Sequence, residues 1–218
     1  MPLPGFASNK TELRLQGGSG GYIYVETANK LSKNLINQDA KMTAIGGSGL
    51  GHWGGGSGGA IVLDGDFRMN EHKVDASGGI SDYDTGKEDY DGCANGGAGT
   101  IWNRKDDELI IDNKEKVTDK FTRITAPRSS KILGKHYREI AKTMTVKGKG
   151  NGAILGRYKW IVFDNLNLKG KVRLTMDRAR KNFTIKLREK VHMSADSTFD
   201  LSKCTGVIVN ITNNATAA

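Results

Sequence analysis

Only two cysteines occur in 218 residues, Cys93 and Cys204, far apart. They form no Cys-x-x-Cys and no metal-binding spacing, which leaves a candidate disulfide or two unrelated thiols. Histidine is scattered at His52, His72, His136 and His192 with no paired spacing. No Gly-x-Ser-x-Gly elbow is present. GKGNGAIL (148–155) lacks the Gly-Lys-Ser/Thr ending of a phosphate cradle, and GSGLGHWG (47–54) lacks the strand-turn-helix context of a dinucleotide site. No window has the length and apolarity of a membrane-spanning helix. The first residues, MPLPGFASNK, carry no charged and then apolar secretory pattern, which mature chains lack as well. Proline is scarce at three against 29 glycines, and 37% of residues are hydrophobic. That mixture is too apolar for disorder and too rich in glycine for an ordinary helical protein.

Charge is what the chain does have, and it is divided. The net +9 splits into −4 over residues 1–100 and +13 over the remainder. A basic second half suits either an anionic partner or a solvated outer face of alternating strands.

Residues 46–63, GGSGLGHWGGGSGGAIVL, hold nine glycines and run directly into an apolar segment. A flexible linker has no reason to end that way, and the pattern recurs. GGSGGYIYVE (17–26) is echoed by GGSGGAIVLD (55–64) and loosely by ANGGAGTIWN (94–103), which places Ile23, Ile61 and Ile101 at matching positions. A second echo, NQDAKMTAIGGSG (37–49) beside NEHKVDASGGIS (70–81), lies between them. Each unit reads as a Gly-Gly turn, a short β-rich strand, a polar loop, a second strand and another turn. Glycine is expected to supply positive φ at these corners and to let backbones approach closely. Strands stacked through repeated tight corners define a solenoid.

The second half continues as short strand candidates at 144–146, 153–155, 160–163, 166–168 and 172–176, with more in FTIKLRE, VHMSADSTFDLS and TGVIVNIT. Val172, Leu174 and Met176 alternate with polar residues, as do Phe183, Ile185 and Leu187. Such spacing fits a sandwich, a barrel or successive turns of a β-helix. One helix is expected, over 130–144, where Leu133, Tyr137, Ile140, Ala141 and Met144 fall on one face behind a serine N-cap. Period-two alternation turns basic residues such as Arg173 and Lys186 outward in rows.

KGKGNGAILG (147–156) followed by WIVFDNLNL (160–168) resembles the rungs of right-handed parallel β-helix proteins of the pectate-lyase-like superfamily. The resemblance implies that Asn165 or Asn167 sits in a stack of like residues. GGSGGAIVLDGDFRMN (55–70) is similar to the Gly-Gly-Ala-Ile and Phe-x-x-Asn repeats of polymorphic outer-membrane adhesins of the chlamydial type, here Gly58 to Ile61 and Phe67 to Asn70. The glycine-rich units also look like surface β-helices of protists and plants. The catalytic signatures of the lyases are missing: TRITAPRSSK (122–131) lacks the second half of an Arg-x-Pro-x-x-Arg segment.

These readings set the expectations. The chain is all-β: a single domain over 1–218, a right-handed parallel β-helix with glycine-rich corners, an acidic glycine-rich half to about residue 102 and a basic half beyond. An acidic insertion spans 81–92, where Asp82, Asp84, Glu88, Asp89 and Asp91 are either calcium ligands or a solvated loop. His52 and Trp53 are candidate ligand contacts in an open loop. Asn9, Asn182, Asn210 and Asn214 head Asn-x-Thr sequons and are candidate glycosylation sites. The expected function is non-enzymatic: an extracellular or cell-surface structural or adhesive module, assembling as a homo-oligomer, filament or surface layer, with no required cofactor. The alternative is a β-helix that binds or degrades polysaccharide, of lyase or tailspike type. An anionic polysaccharide is the candidate ligand, and nucleic acid ranks last because no aromatic stacking platform accompanies the basic run.

Overall fold

The computed structural model describes residues 17–26, 41–49, 54–65, 73–81, 95–124, 132–133, 137–139, 141–156, 160–176, 184–202 and 208–211, with backbone alone at several strand positions. All regular structure there is β, mostly in parallel pairs.

In the glycine-rich half, β1 (Tyr22–Glu26), β3 (Ala60–Asp64) and β5 (Thr100–Asn103) pair in parallel. Ile23 faces Ile61 and Ile61 faces Ile101, which is the pairing the repeated isoleucines predict. The second echo forms its own two-stranded sheet, β2 (Met42–Thr43) beside β4 (Val74–Asp75). Ile61, Leu63 and Ile101 are buried together with Ala44, Val74 and Ala76, so the two sheets enclose a small core. Burial of this kind is the main stabilising term for such short strands.

The glycine tracts are not the expected positive-φ corners. Among the described glycines, φ is positive only at Gly65, Gly148, Gly150 and Gly170, and the first of these is nearly extended at 151°. Residues 17–21, 44–49, 54–59, 76–80 and 95–99 instead run as extended segments bonded sideways to several neighbours. Amides directed at one neighbour recur every third residue: Gly17 and Gly20 donate to Gly54 and Ser57, Gly56 and Gly59 to Gly47 and Ala44, Gly96 and Gly99 to Gly79 and Ala76. A three-residue repeat without internal hydrogen bonds is polyproline-II geometry, which exposes the whole backbone for lateral bonding. Two layers result, one continuing β1, β3 and β5 and the other β2 and β4. Only glycine permits this spacing: a Cβ on Gly58 would overlap the Ala76 carbonyl oxygen and lie 2.5 Å from the Gly99 nitrogen.

After β5 the chain reverses. β6 (Glu108–Val117) is antiparallel to β5. Beyond it come β7 (Phe121–Ile124), β8 (Ile132–Leu133), β9 (Tyr137–Glu139), β10 (Thr143–Leu155), β11 (Trp160–Met176), β12 (Thr184–Met193), β13 (Thr198–Asp200) and β14 (Ile208–Ile211). Apart from the antiparallel β8–β9 pair, these associate in parallel along three lines. One runs β9, β11, β12, β14, with Tyr137 facing Trp160 and Trp160 facing Thr184. The second runs through Glu108, Thr143, Asn165 and Lys190, and the third through Phe121, Gly152, Arg173 and Thr198. Leu109, Met144, Phe163, Leu166, Leu174 and Leu187 fill the core between them.

Two expectations are overturned. Among the described residues of 130–144 there is no helix: β8, β9 and the start of β10 lie there, because parallel pairing of β9 and β10 with β11 and β6 satisfies backbone that a helix would have bonded internally. The stack of like asparagines is absent too. Asn165 and Asn167 face Thr143 and Thr145 on one side and Lys190 and His192 on the other, and Asn167 Nδ2 donates to Thr145 Oγ1 at 3.2 Å. Buried asparagines instead join the two halves. Asn113 Oδ1 accepts from the Gly78 amide at 2.8 Å, while its Nδ2 donates to the Gly96 and Lys116 carbonyls. Asn95 does the same between the Ser81 amide and the Val117 carbonyl.

Candidate functional site

Most residues singled out from sequence lie outside the described residues: Asn9, His52, Trp53, Asp82, Asp84, Glu88, Asp89, Asp91, Cys93, Asn182, Cys204 and Asn214. Asn210 is in β14, where its backbone faces Lys186. Among the described residues no group of three or more His, Cys, Asp or Glu stands close enough to hold a metal ion, and no helix is long and apolar enough to cross a membrane. Arg173 is exposed as expected, while Lys186 is only half-exposed.

The structure brings cations together elsewhere. Lys147-Gly148-Lys149 of β10 lies in register with Lys169-Gly170-Lys171 of β11. Gly148 and Gly170 have φ of 145° and 83°, which side chains rarely adopt, and a Cβ at Gly148 would overlap the Asn151 side-chain oxygen. The recess beside it, about 550 Å³, is also lined by Asp112 and Glu115. Lys149 pairs with Glu115 at 2.9 Å and Lys114 with Asp112 at 3.4 Å. The hydrogen bond from Lys149 holds the Glu115 carboxyl below its ordinary range. Much of the lysine charge is thus answered by carboxylates on the preceding rung.

A second recess, about 760 Å³, lies where the two halves meet. Its floor is the outer face of the glycine layer, including Gly21, Ser57, Gly59 and Gly97. Its wall is the approach to β7 and β7 itself, which present Lys120, Phe121 and Arg123. Thr122 Oγ1 donates to the Ala98 carbonyl and Thr118 Oγ1 to that of Asn95, so floor and wall are stitched together. Phe121 faces Gly152, whose missing side chain leaves room for the ring. Across the floor stands Tyr22, 68% exposed, on β1, which among the described residues is one end of the sheet path. Among the described residues no carboxylate lines this groove. Further along β1 the charges are self-satisfied: Tyr24 Oη donates to Asp64 at 3.1 Å, and Arg104 pairs with the same carboxylate. The Asp64 hydrogen bond raises the Arg104 pKa, and desolvation followed by the Asp64 hydrogen bond raises that of Tyr24.

Sequence reasoning missed this groove because its parts lie about a hundred residues apart, as Tyr22 and Phe121 do. The only local signal was an exposed aromatic next to a glycine tract.

Behind the groove, Lys116 sends its ammonium inward to Ser77 Oγ and the Gly78 carbonyl. Burial lowers its pKa, opposed in part by Asp75. The unfolded chain therefore holds this proton more tightly, and stability rises as pH climbs through the lowered value towards the ordinary lysine range. Urea midpoints measured from pH 7 to 10 should increase in the native chain, and Lys116→Gln should remove that increase. A midpoint equally pH-dependent in both would contradict this account.

No protein-family model, curated protein or solved structure matches this chain. The class rests on the fold and groove alone: an all-β protein of mostly parallel strands with an open, glycine-floored cleft.

Proposed function

We propose that this chain is a non-enzymatic structural or adhesive protein of the cell surface or extracellular space, built as a right-handed parallel β-helix whose first half is a glycine lattice. The hand follows from the strong preference of parallel crossovers. The observation that carries the reading is the lattice itself. Five segments bonded backbone to backbone make a stiff body with almost no side chains for chemistry.

Assembly is supported by the ends. Among the described residues β1 and β14 are the two ends of the main sheet path, and such edges favour pairing with another chain. The acidic first half and basic second half are complementary head to tail, an arrangement that generates filaments. Electron micrographs at low salt should show filaments, shortened by salt at about 0.5 M as screening weakens the contact. Discrete monomers at all concentrations by sedimentation would remove assembly. Release of unsaturated uronides from pectin- or alginate-like polymers would replace the whole reading with the lyase alternative.

A further inference from the structure

The groove and the lysine recess differ in one decisive respect. The recess carries its own carboxylates, Asp112 and Glu115, whereas the groove has Lys120 and Arg123, both already engaged, and among the described residues no acid in its lining. Lys120 pairs with Asp119 at 3.0 Å on the surface, with the two side chains 56% and 74% exposed. A pair so solvated is weak and readily exchanged for an incoming anion. The groove's volume of about 760 Å³ falls within the range of ligand clefts, about 300–1,000 Å³. Two aromatics border it, Tyr22 far more exposed than its neighbours and Phe121 at 37%.

We propose that this groove binds an acidic polysaccharide chain laid across the glycine floor, with sugar faces against Tyr22 and Phe121 and anionic groups turned to Lys120 and Arg123. The floor argues for sugar. A peptide bound in extended form needs pockets for alternate side chains, and a floor whose side chains are mostly absent supplies none. A pyranose ring needs a flat apolar platform for one face and hydrogen-bonding groups for its hydroxyls. Tyr22 and Phe121 give the first, and the exposed Ser57 gives the second. Rigidity adds affinity, because a floor fixed by lateral hydrogen bonds loses little freedom on binding. The inference rests on the reading of the chain as a non-enzymatic module and adds the ligand class and its site.

The test is calorimetric titration of the full chain with a galacturonate hexamer, a heparin-derived hexasaccharide, a neutral cello-oligosaccharide and a single-stranded oligonucleotide. At least one acidic sugar should bind, and the better of the two identifies carboxylate or sulfate as the preferred anion. Tyr22→Ala removes an exposed ring and should weaken binding about tenfold. Ser57→Leu places bulk on the exposed floor and should weaken it at least as much. Lys169→Ala with Lys171→Ala, outside the groove, should change affinity less than twofold. Circular dichroism checks that each variant is folded. Affinity unchanged in Tyr22→Ala and Ser57→Leu would overturn the proposal, as would a neutral sugar or the oligonucleotide binding as well as the acidic sugars. No binding of either acidic sugar would overturn it too. Cleavage of the oligouronate would instead sink the non-enzymatic reading, independently of where the sugar binds.

Discussion

Gly58→Ala is expected to abolish cooperative folding of the glycine-rich half, while Gly18→Ala leaves it intact. A Cβ at Gly58 would overlap the Ala76 carbonyl and come within 2.5 Å of the Gly99 nitrogen, both of them backbone atoms. A crowded side chain escapes by changing rotamer, but a backbone locked in a lattice has no such option. Overpacking a core usually costs about 1–3 kcal/mol. Here the added methyl parts two hydrogen-bonded segments, since Gly58 donates to Gly97 and Gly99 to Ala76. A loss of about 4 kcal/mol or more is expected, in the exceptional class of single substitutions. Gly18 has nothing within 4 Å of its Cβ position and no positive φ. Alanine there restricts the unfolded chain and should be neutral or stabilising by up to about 1 kcal/mol. Urea unfolding with amide exchange on the glycine segments distinguishes the two. Equal effects at both positions would mean that the glycines serve chain flexibility and not close approach.

That contrast explains how much of the fold was readable. The pairing of Ile23, Ile61 and Ile101 was legible because each isoleucine brings a flanking β-rich pentapeptide and a fixed place after its glycines. The conformation of the glycines was not. A residue without a side chain gives no periodic signal, so a corner at positive φ and a straight laterally bonded segment have the same sequence. Close approach was the half of the expectation that both structures share. The helix expected over 130–144 failed for a related reason. Leu133, Tyr137 and Met144 sit at helical spacing, yet Leu133 lies in β8, Tyr137 in β9 and Met144 in β10. Over so short a span, helical periodicity and a series of separate strands coincide, and only partners far away in sequence decide between them.

The site was less legible than the fold. Alternation correctly turned Arg173 outward, but the cations that gather are Lys147, Lys149, Lys169 and Lys171, which meet because two Lys-Gly-Lys tripeptides fall in register. The groove depends on the antiparallel return of β6 on β5, which sets β7 against the glycine layer. No local pattern announces that reversal. Asp107 takes positive φ, 52°, just before it, without the glycine that marks most such turns.

The joint between halves gives the second large effect. Asn113→Leu should cost about 3–5 kcal/mol and split unfolding into two transitions, with the glycine half melting first. Leucine has similar bulk and fills the fully buried site, so cavity formation contributes little. What is lost is polar. The Gly78 amide and the Gly96 and Lys116 carbonyls each lose their bond to Asn113. Buried groups without partners cost about 1–3 kcal/mol each. Gly78 and Gly96 belong to the lattice and Asn113 to β6, so two of the three bonds cross from one half to the other, while the bond to Lys116 stays within β6. Asn165→Leu is the control. Its bonds to Thr143 and Glu189 are long, at 3.4 and 3.3 Å, and partly solvated, so less than about 1 kcal/mol is expected. Differential scanning calorimetry reads both the loss and the number of transitions. A single transition for Asn113→Leu, shifted no further than for Asn165→Leu, would show that the halves cohere without this side chain. Because the groove takes its floor from the lattice and its wall from β7, the same substitution should weaken binding of acidic sugar at temperatures where the basic half is still folded. Loss of affinity ahead of the main transition would tie the joint to the site.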